Sequence, residues 1–91
     1  MATKKKPVLV TTEYRGVFYG YLKSHEDRTV VLEKCHNVIY WHRSVGGVFG
    51  LCKTGPNNEC RIGAEAPEIT LYGVTSVANV SPDAEKAWSA L

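Results

Sequence analysis

Residues 14–41, YRGVFYGYLKSHEDRTVVLEKCHNVIYW, constrain the fold more than any other part of the chain. Within them, residues 17–22 carry a large side chain at every position except Gly20. Because successive side chains of a strand point to opposite faces, the odd-numbered residues of this segment are predicted on one face and the even-numbered ones on the other. A strand that is apolar on both faces is typical of the interior of a barrel or of an oligomer.

The rest of the chain continues as short strands separated by polar or glycine-rich breaks. β-Branched and aromatic residues suit a pleated surface, and they recur between these breaks. The predicted strands cover residues 8–13, 17–23, 29–34, 38–43, 68–72 and 74–80, with Asn37 and Gly73 among the breaks. The pattern predicts a mostly β (α+β) fold, a small single-domain bent antiparallel sheet or barrel of about five to six strands with one C-terminal helix.

Residues 81–85, SPDAE, predict the start of that helix, which we expect at 82–90. Ser81 is a suitable N-cap, proline is favoured at the first helical position, and acidic residues in the first turn interact favourably with the helix dipole. Trp88 lies on the apolar stripe of the predicted helix and is expected to cover an open end of the sheet.

The chain is predicted to hold one β-rich domain at residues 7–91, preceded by a disordered basic tail at 1–6. Residues 44–66 are rich in glycine and are predicted to form a long structured loop. Apolar residues such as Phe49 and Ile62 would hold this loop against the sheet. Long loops without regular structure are often functional in compact domains, so the loop is a candidate site.

The composition argues against several classes of protein. The chain has 11 Lys and Arg residues and 9 acidic ones, which gives a net charge of +2. Without the basic tail the domain is near neutral, and this does not favour a nucleic-acid-binding domain. No segment has the apolar core of a signal peptide or the roughly 18 apolar residues of a membrane span, so we expect a cytoplasmic protein. The three cysteines lack paired spacing and favour free thiols.

The first group of candidate ligand-binding residues is Tyr40, Trp41, His42 and Arg43. Aromatic faces stack on bases, and arginine side chains bind phosphates. Alternation along a strand would place Tyr40 and His42 on one face and the other two residues on the opposite face, so one subunit can offer only one pair to a pocket. The alternative is that these residues pack in the core and at an interface between subunits.

The second candidate group lies in the glycine-rich loop. The order of residues 50–55, GLCKTG, differs from that of a Walker phosphate loop. Backbone N–H groups exposed by glycines can nevertheless hold an anion. The candidate residues beside them are Lys53, Thr54, Asn57, Asn58 and Arg61. The alternative is a loop that only closes the fold or forms an interface.

Catalysis and metal binding are not predicted. The cysteines and histidines lack the C-x2-C spacing that makes a zinc site specific. Cys35 and His36 are neighbours in a strand, so their side chains would point to opposite faces and cannot form a nucleophile–base pair. We therefore expect no enzymatic activity, no cofactor and no metal.

The segments YRGVF-x-G-x-L, IYW, TGPNNECRIG and PEITLYGVTSV, followed by a short helix ending near Trp88, resemble a family of small uncharacterised bacteriophage proteins. This resemblance covers nearly the whole chain and implies a viral origin and a small β-rich fold. A second set of spaced residues is similar to the pattern of Sm-like proteins, five-stranded bent sheets that form rings and bind RNA. The residues of this second set are Gly20, Leu22, Asp27, Val30, Leu32, Gly73, Val74 and Val77.

The leading hypothesis from the sequence is a non-enzymatic, phage-encoded homo-oligomer in the host cytoplasm that sequesters a small nucleotide-type immune signal. Such an anti-defence sponge needs affinity and copy number but no catalytic group. One alternative is a structural or host-protein-binding module, whose exposed aromatic residues would meet a protein surface. The other alternative is an Sm-like RNA-binding ring. No membrane contact is expected for any of them.

Overall fold

The computed structural model of the chain describes residues 6–13 and 16–91. In chain order the elements are β1 (Lys6–Thr12), β2 (Val17–Glu26), β3 (Thr29–Tyr40), α1 (Gly47–Lys53), β4 (Arg61–Ile62), β5 (Ala66–Tyr72), β6 (Val74–Asn79) and α2 (Pro82–Ser89), with a 3-10 turn at Arg43–Val45. Neither helix in this described part of the chain has the length and apolarity needed to cross a membrane.

The six strands form one antiparallel sheet in the order β4-β3-β2-β1-β6, and β5 also pairs with β3. Only Gly73 separates β5 from β6 in the chain, yet these strands pair with β3 and β1 on opposite sides of β2. The sheet must therefore bend until its two ends meet at this turn, where the Glu13 amide donates a 3.0 Å hydrogen bond to the Gly73 carbonyl. The predicted fold class is confirmed.

The bent sheet has a hydrophobic cluster on each face. The inner cluster receives side chains from the central strands and from both ends of the sheet; its buried members are Val8, Val10, Val30, Leu32, Cys35, Leu71 and Val74. The outer cluster joins the sheet to both helices; its buried members are Leu9, Val17, Tyr19, Val38, Val45, Leu51, Cys52, Val80, Ala84 and Trp88. The predicted alternation of β2 is confirmed, because Val17 and Tyr19 lie in the outer cluster while Phe18 and Leu22 pack against the inner one.

The C-terminal helix is present as α2, and Ser81 caps it as predicted. The Ser81 hydroxyl accepts a 3.1 Å hydrogen bond from the Ala84 amide. The same hydroxyl donates a 2.7 Å hydrogen bond to the Lys53 carbonyl at the end of α1. Trp88 is 1% exposed and packs on the outer face of the sheet, and its indole N–H donates to the Leu51 carbonyl at 3.1 Å. One serine and one tryptophan thus connect the two helices.

The strands predicted at 29–34 and 38–43 are joined in a single strand, β3, which ends at Tyr40. Residues 41–43 are therefore not part of a strand, and Arg43 begins the 3-10 turn. The predicted break at Asn37 is wrong, because Asn37 pairs with Phe18 of β2 and its carbonyl accepts a 2.8 Å hydrogen bond from the Gly63 amide. Backbone partners on both sides keep Asn37 extended. The irregularity of this strand falls earlier, at Lys34, which has a φ of 48°.

The glycine-rich segment 44–66 contains helix α1 and strand β4 and is therefore not a continuous loop. Gly46 adopts a left-handed φ of 91°, which ends the 3-10 turn and starts α1. Leu51 and Cys52 are buried, and their helical spacing from Val48 gives α1 an apolar side that packs on the sheet. The predicted tail at 1–6 lies outside the described residues except for Lys6, which begins β1 opposite Leu22.

The two helices cover the outer face of β2 within one chain, so an apolar strand with two buried faces does not by itself require a second subunit. Several large apolar side chains are exposed instead, namely Ile39, Tyr40, Phe49, Tyr72 and Leu91. These residues lie on different elements. The homo-oligomer stays a prediction.

Replacing Ser81 by alanine removes the α2 cap and the contact between the helices. We expect Ser81→Ala to lower the free energy of unfolding by about 1–2 kcal/mol, measured by urea denaturation. Ser24→Ala, an exposed serine of β2, is the matched control and should change it by less than about 0.5 kcal/mol. Equal effects of the two substitutions would contradict the role assigned to Ser81.

Candidate functional site

A β-bulge in β3 determines which of its side chains face the helices. Tyr19 pairs with His36 and Tyr21 pairs with Glu33, so three steps along β3 match two steps along β2. The extra residue is accommodated at Lys34, whose φ of 48° is in the left-handed region that residues with a Cβ rarely adopt. The bulge shifts the phase of the strand by one residue.

Beside the bulge, the phase shift keeps apolar side chains on the inner face of the strand and polar side chains on its outer face. Leu32 and Cys35 both belong to the inner cluster, although they are three residues apart. Glu33 and His36 correspondingly share the outer face, where both line one pocket. Gly20 lies opposite the bulge, and a Cβ at this position would be 3.0 Å from the Cβ atoms of Leu32 and Cys35. A larger residue at position 20 would therefore crowd the side chains of Leu32 and Cys35 beside the bulge.

A pocket of about 510 Å³ lies on the outer face, where β2, β3 and α2 meet. Its lining combines aromatic rings with charged and polar groups. The lining residues are Tyr19, Tyr21, Glu33, Lys34, His36, Glu65, Glu85, Trp88 and Ser89. We call it the Tyr19 pocket. Its volume lies in the range typical of sites for small molecules.

Hydrogen bonds orient the polar groups of the Tyr19 pocket. The Tyr21 hydroxyl donates to Glu85 Oε2 at 2.8 Å. His36 Nδ1 lies 2.9 Å from the Gly63 carbonyl oxygen, which can only accept, so Nδ1 must carry the hydrogen. Nε2 of a neutral His36 is then an acceptor, and it lies 3.7 Å from Glu65 Oε1. The imidazole is thus held by the backbone at one nitrogen and faces a carboxylate at the other.

Tyr19 forms the back wall of the pocket. It is 2% exposed, and its ring stacks on Trp88 with a centroid distance of 4.3 Å and an interplanar angle of 3°. Its buried hydroxyl has no hydrogen-bond partner among the described residues. Burial raises the pKa of Tyr19 most, and a side-chain interaction with Tyr21 and the charge of Glu85 raise it further, so the phenol remains protonated. The contact with Tyr21 does not have the geometry of a hydrogen bond. A buried hydroxyl without a hydrogen-bond partner is unusual and destabilises the fold. A bound ligand could supply the missing partner.

A second pocket of about 520 Å³ adjoins the first, and the two share His36 and Glu65 as lining residues. We call it the Asn57 pocket. The rest of its lining comes mainly from the segment after α1, namely Asn57, Asn58, Cys60, Ile62, Gly63, Ala64 and Leu91. His36 and Glu65 therefore contribute to the walls of both pockets, and the second pocket also contains the Asn57 and Asn58 side chains.

Two of the sequence-predicted site residues, Asn57 and Asn58, line the Asn57 pocket. The Asn57 side chain is already engaged within its segment: Nδ2 donates to the Ser44 hydroxyl at 3.0 Å, and Oδ1 accepts from the Glu59 amide at 2.9 Å. The amide of Asn57 therefore shapes the segment as well as lining the pocket. Asn58 is exposed.

The aromatic group predicted at Tyr40, Trp41, His42 and Arg43 does not converge on either of these pockets. Tyr40 is exposed and pairs with Arg61 across β3 and β4, so these two predicted residues are neighbours. Trp41 packs against the outer cluster. His42 accepts a hydrogen bond from the Ser44 amide at the start of the 3-10 turn, and its Nε2 lies 3.6 Å from Glu59 Oε2.

The remaining predicted residues, Arg43, Lys53 and Thr54, also lie outside the Tyr19 and Asn57 pockets. Arg43 is exposed in the 3-10 turn. Lys53 ends α1 and lines a shallow apolar depression beside Phe49. The Thr54 hydroxyl donates to the Gly50 carbonyl at 3.1 Å. Lys53 and Thr54 therefore belong to the C-terminal end of α1, where Thr54 is the C-cap residue.

The sequence does not indicate that the residues of the Tyr19 pocket form a site. These residues are far apart in the chain and form no motif, because β2, β3, the residue before β5, and α2 each contribute part of the lining. One local signal was present: Gly20 interrupts a strand of large residues, and glycine within a strand often marks a bulge or a close backbone approach.

Each of the three cysteines lies in a different environment. Cys35 lies in the inner cluster, where its thiol donates to the Ala66 carbonyl at 3.5 Å, and Cys52 lies in the outer cluster. Burial raises the pKa of both thiols. Cys60 is partly exposed and its thiol lies 3.5 Å from Asn57 Oδ1. Within residues 6–13 and 16–91, no three His, Cys, Asp or Glu side chains are grouped to hold a metal ion.

The bent sheet and its helix-lined pocket define a small antiparallel β domain with a preformed cavity of ligand size. A family model described as "Domain of unknown function (DUF6948)" matches residues 5–88, and the chain belongs to this family. No curated protein and no solved structure matches the chain.

Lys34→Gly tests whether the bulge beside the pocket stores backbone strain. Glycine adopts the left-handed conformation without a steric penalty, so we expect the free energy of unfolding to rise by about 1 kcal/mol. Lys86→Gly in α2 is the matched control and should lower it by about 1 kcal/mol. Urea denaturation measures both, and a loss of stability in both variants would contradict strain at Lys34.

Thiol alkylation tests the burial of the cysteines. At mildly alkaline pH we expect iodoacetamide to modify Cys60 first, whereas Cys35 and Cys52 react slowly because burial raises their pKa and blocks access. Mass spectrometry of digested samples gives the rate at each site. All three should react when the chain is unfolded in guanidinium chloride. Folded-state modification of Cys35 or Cys52 as fast as that of Cys60 would contradict this placement.

Proposed function

We propose that this chain is a non-enzymatic binding protein whose ligand occupies the Tyr19 pocket. The observation that carries the proposal is the Tyr19 hydroxyl, which is buried in the lining of a ligand-sized cavity and has no hydrogen-bond partner among the described residues. Because native proteins rarely leave such groups unpaired, we expect the partner to be supplied by a ligand. The surrounding carboxylates and the His36 imidazole supply further acceptors.

The states of the reactive side chains support binding rather than catalysis. Cys35 and Cys52 are buried thiols with raised pKa values, so neither is an activated nucleophile. His36 is held at Nδ1 by the Gly63 carbonyl and faces Glu65 at Nε2. The two groups that its ring nitrogens face are therefore acceptors, whereas a general base in nucleophilic catalysis must contact the group that it deprotonates.

The nucleotide-type ligand stays a prediction, and the pocket limits how such a ligand could bind. The N–H groups of a base match the carboxylates of Glu33, Glu65 and Glu85, but the same carboxylates repel a phosphate. The cations predicted to bind phosphate, among them Arg43 and Arg61, lie outside both pockets. A nucleotide would therefore have to insert its base and keep its phosphate away from the Tyr19 pocket.

The resemblance to bacteriophage proteins supports a viral setting for the proposed binding protein. A viral binding protein in the host cytoplasm can sequester a small immune signal by affinity and copy number alone. Host-protein binding and RNA binding remain the alternatives. Each alternative would use the surface of the protein, whereas sequestration uses the cavity.

Tyr19→Phe tests the proposal because it removes one oxygen and keeps the ring stacked on Trp88. We expect the free energy of unfolding without ligand to stay the same or rise by about 1 kcal/mol, since an unpaired buried hydroxyl is lost. Ligand captured from bacterial lysate and detected by native mass spectrometry should bind about tenfold more weakly. Tyr72→Phe, at an exposed tyrosine outside the pocket, should change neither quantity.

Three results would contradict the proposal, two of them in Tyr19→Phe and the third in the wild type. One is equal capture of the same small molecule by the wild type and Tyr19→Phe, which would place its site elsewhere. The other is a marked loss of stability in Tyr19→Phe, which would show that the hydroxyl has a structural partner. A wild type that retains no small molecule from lysates of infected and uninfected cells also counts against the proposal.

A further inference from the structure

The acidic residues of the Tyr19 pocket come from separate parts of the fold. Glu33 lies on β3, Glu65 directly precedes β5, and Glu85 lies on α2. A solvated acidic face of one helix would have its carboxylates at helical spacing on a single element. Here three elements bring their carboxylates to one cavity, so the convergence is a property of the tertiary fold.

The pocket has the opposite charge to the whole chain. Its lining contains three carboxylates and one ammonium group, that of Lys34, which gives −3 + 1 = −2 when His36 is neutral. The formal net charge of the chain is +2. A concave wall of one sign concentrates its electrostatic field in the cavity and raises the local concentration of ligands of the opposite sign.

Glu85 and Glu65 keep the capacity to bind a ligand, whereas Glu33 lies 3.9 Å from the Lys23 ammonium group. Glu85 accepts one hydrogen bond from Tyr21, and an ionised carboxylate can accept several. Glu65 lies 3.7 Å from His36 Nε2, longer than a hydrogen bond. An ammonium or guanidinium group that enters the pocket can therefore form short, charge-assisted hydrogen bonds, which are the strongest of their kind.

The unpaired Tyr19 hydroxyl is a second and independent sign of a ligand at this place. Its oxygen can accept a hydrogen bond from an N–H group, and Tyr19 lines the same cavity; because the oxygen itself is fully buried, a ligand contacts it only after a neighbouring side chain moves. The half-buried ring of Tyr21 adds an aromatic surface, which attracts cations. The pocket thus combines carboxylate, phenol and aromatic groups, all of which suit an organic cation.

We infer that the Tyr19 pocket binds a linear organic cation that carries amine or guanidinium groups. The inference rests on the proposed function and specifies the ligand class for the same site. The Asn57 pocket continues past His36 and Glu65, so a chain with a second polar end can extend toward the Asn57 and Asn58 amides. Free polyamines and the side chains of lysine or arginine share this chemistry.

Calorimetric titration of the full chain tests the inference with defined probes. Spermidine and agmatine represent free cations, and Nα-acetyl-lysine amide, whose side-chain ammonium group is free, represents a protein side chain. The neutral control is 1,4-butanediol. Adenosine monophosphate represents the nucleotide class. We expect spermidine or agmatine to bind most tightly and the diol not to bind. Binding should weaken as the salt concentration rises.

Charge-neutralising variants locate the site. Glu85→Gln and Glu65→Gln should each weaken amine binding about tenfold or more, because each removes a charge-assisted contact. Glu26→Gln makes the same change of charge at an exposed residue outside the pocket and should leave the affinity unchanged. Thermal melts of all three variants check that they fold as the wild type does.

The possible outcomes separate this inference from the proposed function. If no amine binds, but a ligand captured from lysate is lost in Tyr19→Phe, the pocket is a binding site and the cation class is wrong. Equal weakening by all three Gln variants would show non-specific attraction and overturn the inference. Adenosine monophosphate binding that strengthens in Glu85→Gln would do the same. Tighter binding of Nα-acetyl-lysine amide than of spermidine would support an organic cation as the ligand and would show that a protein side chain supplies it.

Discussion

The stack of Tyr19 on Trp88 is the interaction on which the rest of the structure depends. The two rings lie 4.3 Å apart and nearly parallel, and both residues are almost fully buried. The Trp88 indole N–H also donates to the Leu51 carbonyl. A single side chain of α2 therefore fixes that helix against β2 and against α1. The same pair forms part of the wall of the Tyr19 pocket, so the core and the candidate site are built from one contact.

The bulge at Lys34 lets β3 serve two hydrophobic clusters and a polar pocket. If the strand alternated regularly after Leu32, Cys35 would point outward and His36 would point into the inner cluster. The extra residue instead keeps Cys35 inside and brings His36 to the face of Glu33. The left-handed conformation of Lys34 is unfavourable, and it is held in place by pairing on both sides of the bulge. Strain of this kind is common beside functional sites.

The sequence predicted the elements whose signals are local. Alternation in residues 17–22 indicated a strand with two buried faces, and Ser81 with the following proline indicated the start of α2. Helix α1 was missed because its glycines suggested a loop. Its apolar residues have helical spacing, but the helix is only 7 residues long, too short for the pattern to be evident. The Tyr19 pocket was missed for a different reason. Its residues extend from β2 to α2, and only the tertiary fold brings them together.

The difference in charge between the site predicted from the sequence and the Tyr19 pocket has a physical cause. The sequence favoured an anion because arginine and lysine lie close to the glycines of residues 44–66. In the folded chain Arg43 and Arg61 are exposed and line neither pocket, whereas three glutamates, of which Glu65 is also exposed, line one cavity. Charges on the exposed surface are screened beyond about 8–10 Å at physiological ionic strength. A ligand inside the pocket therefore responds to the carboxylates that it contacts, and the net charge of +2 on the whole chain has little influence on its recognition.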